Sequence, residues 1–294
     1  MRRWTNQALF VALGVGFLSG WLALFYDDAP SRASLILHAS SGYAILALTP
    51  WKSVIAARGI RRRRPGWWLS RTLANAIVIS IVAGLLHSTG VLRGVGAISA
   101  MEVHIGAALV ALPLVIWHLV VRWIPVRPAD LSRRRLLRTG TLALVAAASY
   151  SSTELAVRLL RLPGGQRRPT GSYEVGSLRA DQLPVTQWLF DAVPAIDAAA
   201  FRLEVRAGGL RHWSYQELVG FDDRLRATLD CTGGFSSTQD WSGVWLARLL
   251  PPSVAGSSIH VRSSTGYDRR FPLHEAPQLL LATRLGGERL ASGH

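Results

Sequence analysis

The chain has 294 residues, enough for a helical membrane module and one small domain. Half of it is apolar and only 17% is charged, yet the formal net charge is +15. The arginines fall between hydrophobic runs, which argues against a nucleic-acid partner and for a membrane surface, and the single cysteine, Cys231, excludes an intrachain disulfide.

Five stretches without Asp, Glu, Lys or Arg follow in order: 9–26, 33–51, 72–92, 103–121 and 139–153. A helix needs about 20 apolar residues to cross a bilayer core. The first four runs approach that length. The fifth is shorter and rich in Ala and Ser. The sequence therefore predicts an α-helical membrane bundle of four to five transmembrane helices over residues 1–160.

The loops set an expected orientation. Arg2 and Arg3, seven basic residues from Lys52 to Arg71, and six from Arg122 to Arg138 lie on one side of a five-span topology. The opposite loops carry only Arg32 and Arg93. Basic loops stay in the cytoplasm, so the N-terminus is expected inside and the C-terminal half outside, in a multi-pass protein of a bacterial plasma membrane. Trp51, Trp67, Trp68 and Trp123 fit an aromatic belt on the basic side. The segment Ser132-Arg133-Arg134-Arg135-Leu136-Leu137-Arg138 before the fifth run resembles the twin-arginine export signal, which implies export of a folded, cofactor-loaded domain.

Four histidines lie in or beside the apolar runs: His38, His87, His104 and His118. Ionisable side chains there are rare and functional. Antiparallel helices bring His38, His87 and His104 to similar depth, and neutral imidazole is an axial ligand for haem iron. Gly42, Gly84 and Gly106 leave room beside them. His118 follows His104 on the same face of one helix, roughly 21 Å away at 1.5 Å per residue. The pattern resembles di-haem cytochrome b subunits. That resemblance implies haem b, held by His38, His87 and His104 near the outer face. Lys52 occupies the position where an inner partner for His118 would stand.

A turn-rich linker spans 161–170. Beyond it, 171–294 reads as an α+β domain. Strands are expected at 201–206, 226–231 and 258–263, short helices at Tyr215–Val219, 244–250 and 275–283, and a turn at Gly266. Cys231 ends a strand before Gly233 and Gly234, where its sulfur can face a bulky ligand or be buried.

The segments Leu229-Asp230-Cys231-Thr232-Gly233-Gly234 and Trp241-Ser242-Gly243-Val244-Trp245-Leu246 resemble the sulfite-oxidase-type molybdopterin-binding domain. The resemblance implies that Cys231 is a thiolate ligand of molybdenum and the catalytic centre. Thr170-Gly171-Ser172-Tyr173-Glu174-Val175 looks like the cofactor-contacting Asn-x-x-Tyr-Glu-Phe segment of the periplasmic methionine-sulfoxide-reductase catalytic subunit, with Thr170 in place of Asn. Tyr173, Glu174 and Thr265 are carried over as pterin contacts. Domains of that family continue past the equivalent of Leu290, so the C-terminal domain is expected to be incomplete.

Together these resemblances imply a membrane-anchored molybdopterin-dependent oxidoreductase. It would exchange electrons between an external molybdenum site, acting on a small oxyanion or sulfoxide-type substrate, and a membrane haem or quinone. Two alternatives remain: a cofactor-free binding or assembly protein embedded in membrane lipid, and a haem-only membrane electron carrier.

Overall fold

The computed structural model describes residues 2–25, 29–61, 66–96, 98–122, 125, 127–185, 192–231 and 233–290. The chain divides into two compact units. The first contains Met1–Tyr173 together with Cys231–Phe235, and the second contains Glu174–Asp230 and Ser236–His294.

The first unit is built on five helices: α1 (Arg2–Phe25), α2 (Ala29–Arg61), α3 (Trp67–Thr89), α4 (Ala100–Val121) and α5 (Arg133–Leu159). A two-stranded hairpin, β1 (Gly94–Val95) and β2 (Ile98–Ser99), joins α3 to α4. Four segments are long and apolar enough to cross a membrane: Arg3–Ala23, Arg32–Arg58, Trp67–Thr89 and Ala100–Val121. These four candidate spans point to a membrane protein. α5 matches them in length, but Arg133, Arg134, Arg135 and Arg138 open it and Glu154 and Arg158 close it, which confines its charge-free stretch to 139–153.

Small residues let the helices approach closely. Ala12, Ala44 and Ala146 meet with Ile45 where α1, α2 and α5 pack, and Ala76 and Ala111 meet with Leu73 and Val115 between α3 and α4. Lipid offers no hydrophobic drive for helices to associate, so close van der Waals packing over small side chains takes that role. Leu18, Val120 and Leu144 point outward, each 70% exposed or more, as lipid-facing side chains should.

The ends are fixed by polar contacts. α4 starts at a capping box, where Ser99 Oγ accepts from Glu102 N at 3.0 Å and Ser99 N donates to Glu102 at 2.7 Å. At the arginine-rich end Asp130 accepts from Arg3 and Gln7 of α1 and pairs with Arg135 of α5. The expected linker is docked on the helices. Residues Pro163–Gln166 form a 3₁₀ turn, and Arg167 donates to Ser88 O on α3 at 2.6 Å and pairs with Glu154 on α5. The first compact unit runs on through these residues to Tyr173.

If the basic asymmetry sets orientation, a reporter enzyme fused after Arg161 is expected to be active outside the cytoplasm. Activity on the cytoplasmic side would mean that α5 lies along the membrane instead of across it.

The second unit is α+β. Its main sheet has five strands: β3 (Tyr173–Glu174), β6 (Asp223–Cys231), β7 (Phe235–Trp245), β10 (Leu280–Leu285) and β11 (Glu288–Arg289). β7 lies between β10 and β3 and also pairs with β6. Two antiparallel hairpins accompany the sheet, β4 (Arg202–Arg206) with β5 (Leu210–Ser214) and β8 (Ser258–Arg262) with β9 (Asp268–Pro272). Two short helices, α6 (Tyr215–Val219) and α7 (Leu246–Leu249), help close a core of Trp213, Leu218, Val244 and Leu249.

Two expected helices are corrected. The segment 275–283 contains a 3₁₀ turn ending at Gln278 and then strand β10, because Pro277 stops helical growth and Leu280–Leu285 pairs with β7. The helix expected at 244–250 shrinks to α7, since Val244 and Trp245 belong to β7. Gly243 sits where β10 bulges toward β7, and a Cβ there would lie 2.1 Å from Leu281 O. Gly243→Ala is expected to destabilise the second unit by about 1–3 kcal/mol, as overpacking does, and to lower its thermal midpoint by several degrees. An unchanged melting curve would show that the strands can part without cost.

Candidate functional site

The described helices bring two of the four histidines together. The rings of His38 on α2 and His104 on α4 lie with centroids 5.6 Å apart and planes at 87°. Each ring is anchored by its Nδ1. His38 Nδ1 donates to Gly16 O on α1 at 2.8 Å, and His104 Nδ1 donates to Ser80 O on α3 at 2.7 Å. The carbonyls fix both rings in the tautomer that leaves Nε2 with its lone pair.

The two anchors repeat one local design. Four residues after each carbonyl, on the same helix face, stands a glycine against the ring. A Cβ on Gly20 would meet the His38 ring at 2.8 Å, and one on Gly84 would meet His104 Nδ1 at 2.9 Å. Any side chain at either position would push the imidazole off its carbonyl. α1 with α2, and α3 with α4, thus form two similar hairpins. Each presents one imidazole, at the helix ends remote from the arginine-rich loops.

This arrangement suits one metal ion held between two imidazoles. If both Nε2 lone pairs faced one ion, metal–nitrogen bonds of about 2 Å would set the ring centroids about 6 Å apart; the two rings meet edge to face at 5.6 Å. Donation of the second ring nitrogen to a backbone carbonyl is the usual outer-shell support of a metal-bound histidine. Cβ positions built on Gly42 and Gly106 meet nothing within 4 Å. Among the described residues no group of three or more His, Cys, Asp or Glu side chains converges on a metal position. His38 and His104 together would offer at most two imidazole nitrogens to a bound group.

His87 and His118 have other hydrogen-bond partners. His87 is 5% exposed, and its Nε2 donates to Gly171 O at 2.8 Å, while the Tyr173 hydroxyl donates to the His87 carbonyl. Its Nδ1 is buried with no hydrogen-bond partner among the described residues. His118, near the arginine-rich end of α4, faces Ser70 Oγ at 3.4 Å. The expected trio of His38, His87 and His104 is therefore a pair, with His87 given to docking the chain that leaves the linker.

Cys231 ends β6, as expected, and is half-buried. Its Sγ accepts from Gly233 N at 3.4 Å. The turn it opens is held to the helical unit: Ser99 Oγ donates to Gly233 O at 3.3 Å, and Tyr173 N donates to Gly234 O at 3.0 Å. Gly234, at φ +92°, lets the backbone pass His87, since a Cβ there would lie 3.0 Å from its Cε1.

The remaining carried-over residues are engaged with the protein itself. The Tyr173 ring is buried under the Arg93 guanidinium, 4.2 Å from its centroid, and burial pushes its phenol up from the ordinary value. Glu174 accepts from Ser177 N at 2.7 Å, and that bond holds its carboxyl below the usual range. Thr265 lies in the exposed β8–β9 turn and bonds to Ser263.

The residues that sequence reasoning missed are Gly16, Gly20 and Ser80. The spacing of small residues four apart, Gly16/Gly20 and Ser80/Gly84, was the available signal. Searches of protein families, of curated proteins and of solved structures find no match to the chain.

Proposed function

We propose that the chain is a membrane-bound oxidoreductase of cytochrome-b type in which His38 and His104 hold one b-type haem. The observation that carries this reading is the imidazole pair at 5.6 Å, each Nδ1 committed to a carbonyl of a neighbouring helix. A bound haem supplies one-electron chemistry. The chain's residues do the rest. Gly16 O and Ser80 O orient the rings and raise the basicity of Nε2, Gly20 and Gly84 let the rings seat, and the apolar helices keep water away.

The partner in electron exchange is proposed to be a molybdenum centre ligated by Cys231, with a small oxyanion or sulfoxide as substrate. This rests on the resemblance of the 229–250 segment and on the Gly233 N–H aimed at the thiol. Tyr173, Glu174 and Thr265 do not fit as pterin contacts in their present hydrogen bonds, and no chemical step is assigned to them.

Purification of the full chain in detergent, a reduced-minus-oxidised spectrum and metal analysis test both parts. A b-type α-band with one haem per chain, together with molybdenum, is expected. Haem without molybdenum would leave a membrane electron carrier and remove the Cys231 assignment. A colourless, folded protein would end both.

A further inference from the structure

We infer that the groove between α1, α2 and α5 at the arginine-rich end binds an anionic phospholipid, with its acyl chain on the apolar walls and its phosphate on Arg133, Arg134 and Arg138. The groove has a volume of about 770 Å³. Leu48, Leu142 and Val145 line its apolar part, and Trp4 and Trp51 stand with the three arginines along it.

The charges select the occupant. Asp130 pairs with both Arg3 and Arg135. Among the described residues no carboxylate pairs with Arg133, Arg134 or Arg138, although all three line the same groove. A neutral lipid or quinone leaves three guanidinium groups without a counter-charge at an apolar surface. A phosphate diester accepts their forked N–H groups, and its chain covers the walls. The flanking tryptophans mark the headgroup depth where such a phosphate sits. Residues 133 and 134 are the same arginines that resemble an export signal, so the proposal gives them a role in the inserted protein. It is independent of the haem and of Cys231.

The test uses the full chain in nanodiscs of phosphatidylcholine with a minority of phosphatidylglycerol, and native mass spectrometry to count retained lipid. Retention of phosphatidylglycerol in preference to phosphatidylcholine is expected. Each basic residue near a membrane surface contributes roughly 1 kcal/mol of attraction to anionic lipid, so the triple variant R133Q/R134Q/R138Q is expected to weaken retention on the order of a hundredfold. Thr141→Trp fills the groove while keeping the arginines and is expected to displace the same lipid; it decides the matter if the triple variant does not insert. R58Q/R61Q/R71Q removes equal charge from another basic stretch and is expected to retain the lipid. Equal loss in that control would reduce the effect to bulk charge and overturn the site. So would unchanged retention in Thr141→Trp, or no preference for phosphatidylglycerol in the parent protein.

Discussion

Replacing His38 or His104 with alanine is expected to remove the b-type spectrum, lowering haem content more than tenfold while the protein still inserts. In the proposed site each imidazole would supply one nitrogen to the iron, and His38 and His104 are the two histidine rings that meet edge to face. His87 is turned away, its Nε2 committed to Gly171 O, and His118 faces Ser70. His118→Ala is therefore expected to keep the haem. His87→Ala is expected to keep it too, while loosening the docked segment around Tyr173. Gly84→Val gives a subtler readout. Its Cβ would press on His104 Nδ1 from 2.9 Å and break the bond to Ser80 O. The expected result is a shifted α-band or partial haem loss without loss of either ligand. If both single alanine variants keep full haem, the pair is structural and the cytochrome reading fails.

The membrane half was legible because its signal is composition over long windows. Four charge-free runs gave four helices. Their ends lie several residues further out, since helices continue into the interface past Pro50 in α2 and through Trp67 in α3. Depth was legible as well: His38 and His104 were expected on one level because helix rise is fixed. Which imidazoles face each other was not. That depends on helix rotation, set here by close approach over Gly20 and Gly84, and one sequence carries this only as a faint spacing of small residues. The second unit was less legible for a related reason. Strands at 201–206 and 226–231 and helix α6 carry local patterns. β7 and β10 pair with each other across more than thirty residues, and the end of β7 and the start of β10 fell inside segments that read as helix when taken alone. The contacts of the 161–170 segment were not legible either, because Arg167 finds its partners on α3 and α5.

Cys231 offers the second large effect. It is the only thiol in the chain, so alkylation reports on one atom. A metal-bound thiolate resists alkylation until the metal is stripped. In molybdenum-loaded protein the half-buried thiol is expected to be protected, and chelation or acid extraction of the cofactor should expose it without unfolding. Cys231→Ser changes one sulfur to oxygen. The turn should persist, because Ser99 Oγ to Gly233 O and Tyr173 N to Gly234 O do not involve the side chain. The variant is expected to lose its molybdenum and at least a hundredfold in any oxyanion- or sulfoxide-dependent turnover, while its haem spectrum stays intact. That division matters, because His38 and His104 draw their anchors from Gly16 and Ser80 alone. If protection instead follows the unfolding curve and is indifferent to metal, Cys231 is a buried structural thiol. The segment that resembles a molybdenum site would then be a turn that joins β6 to β7.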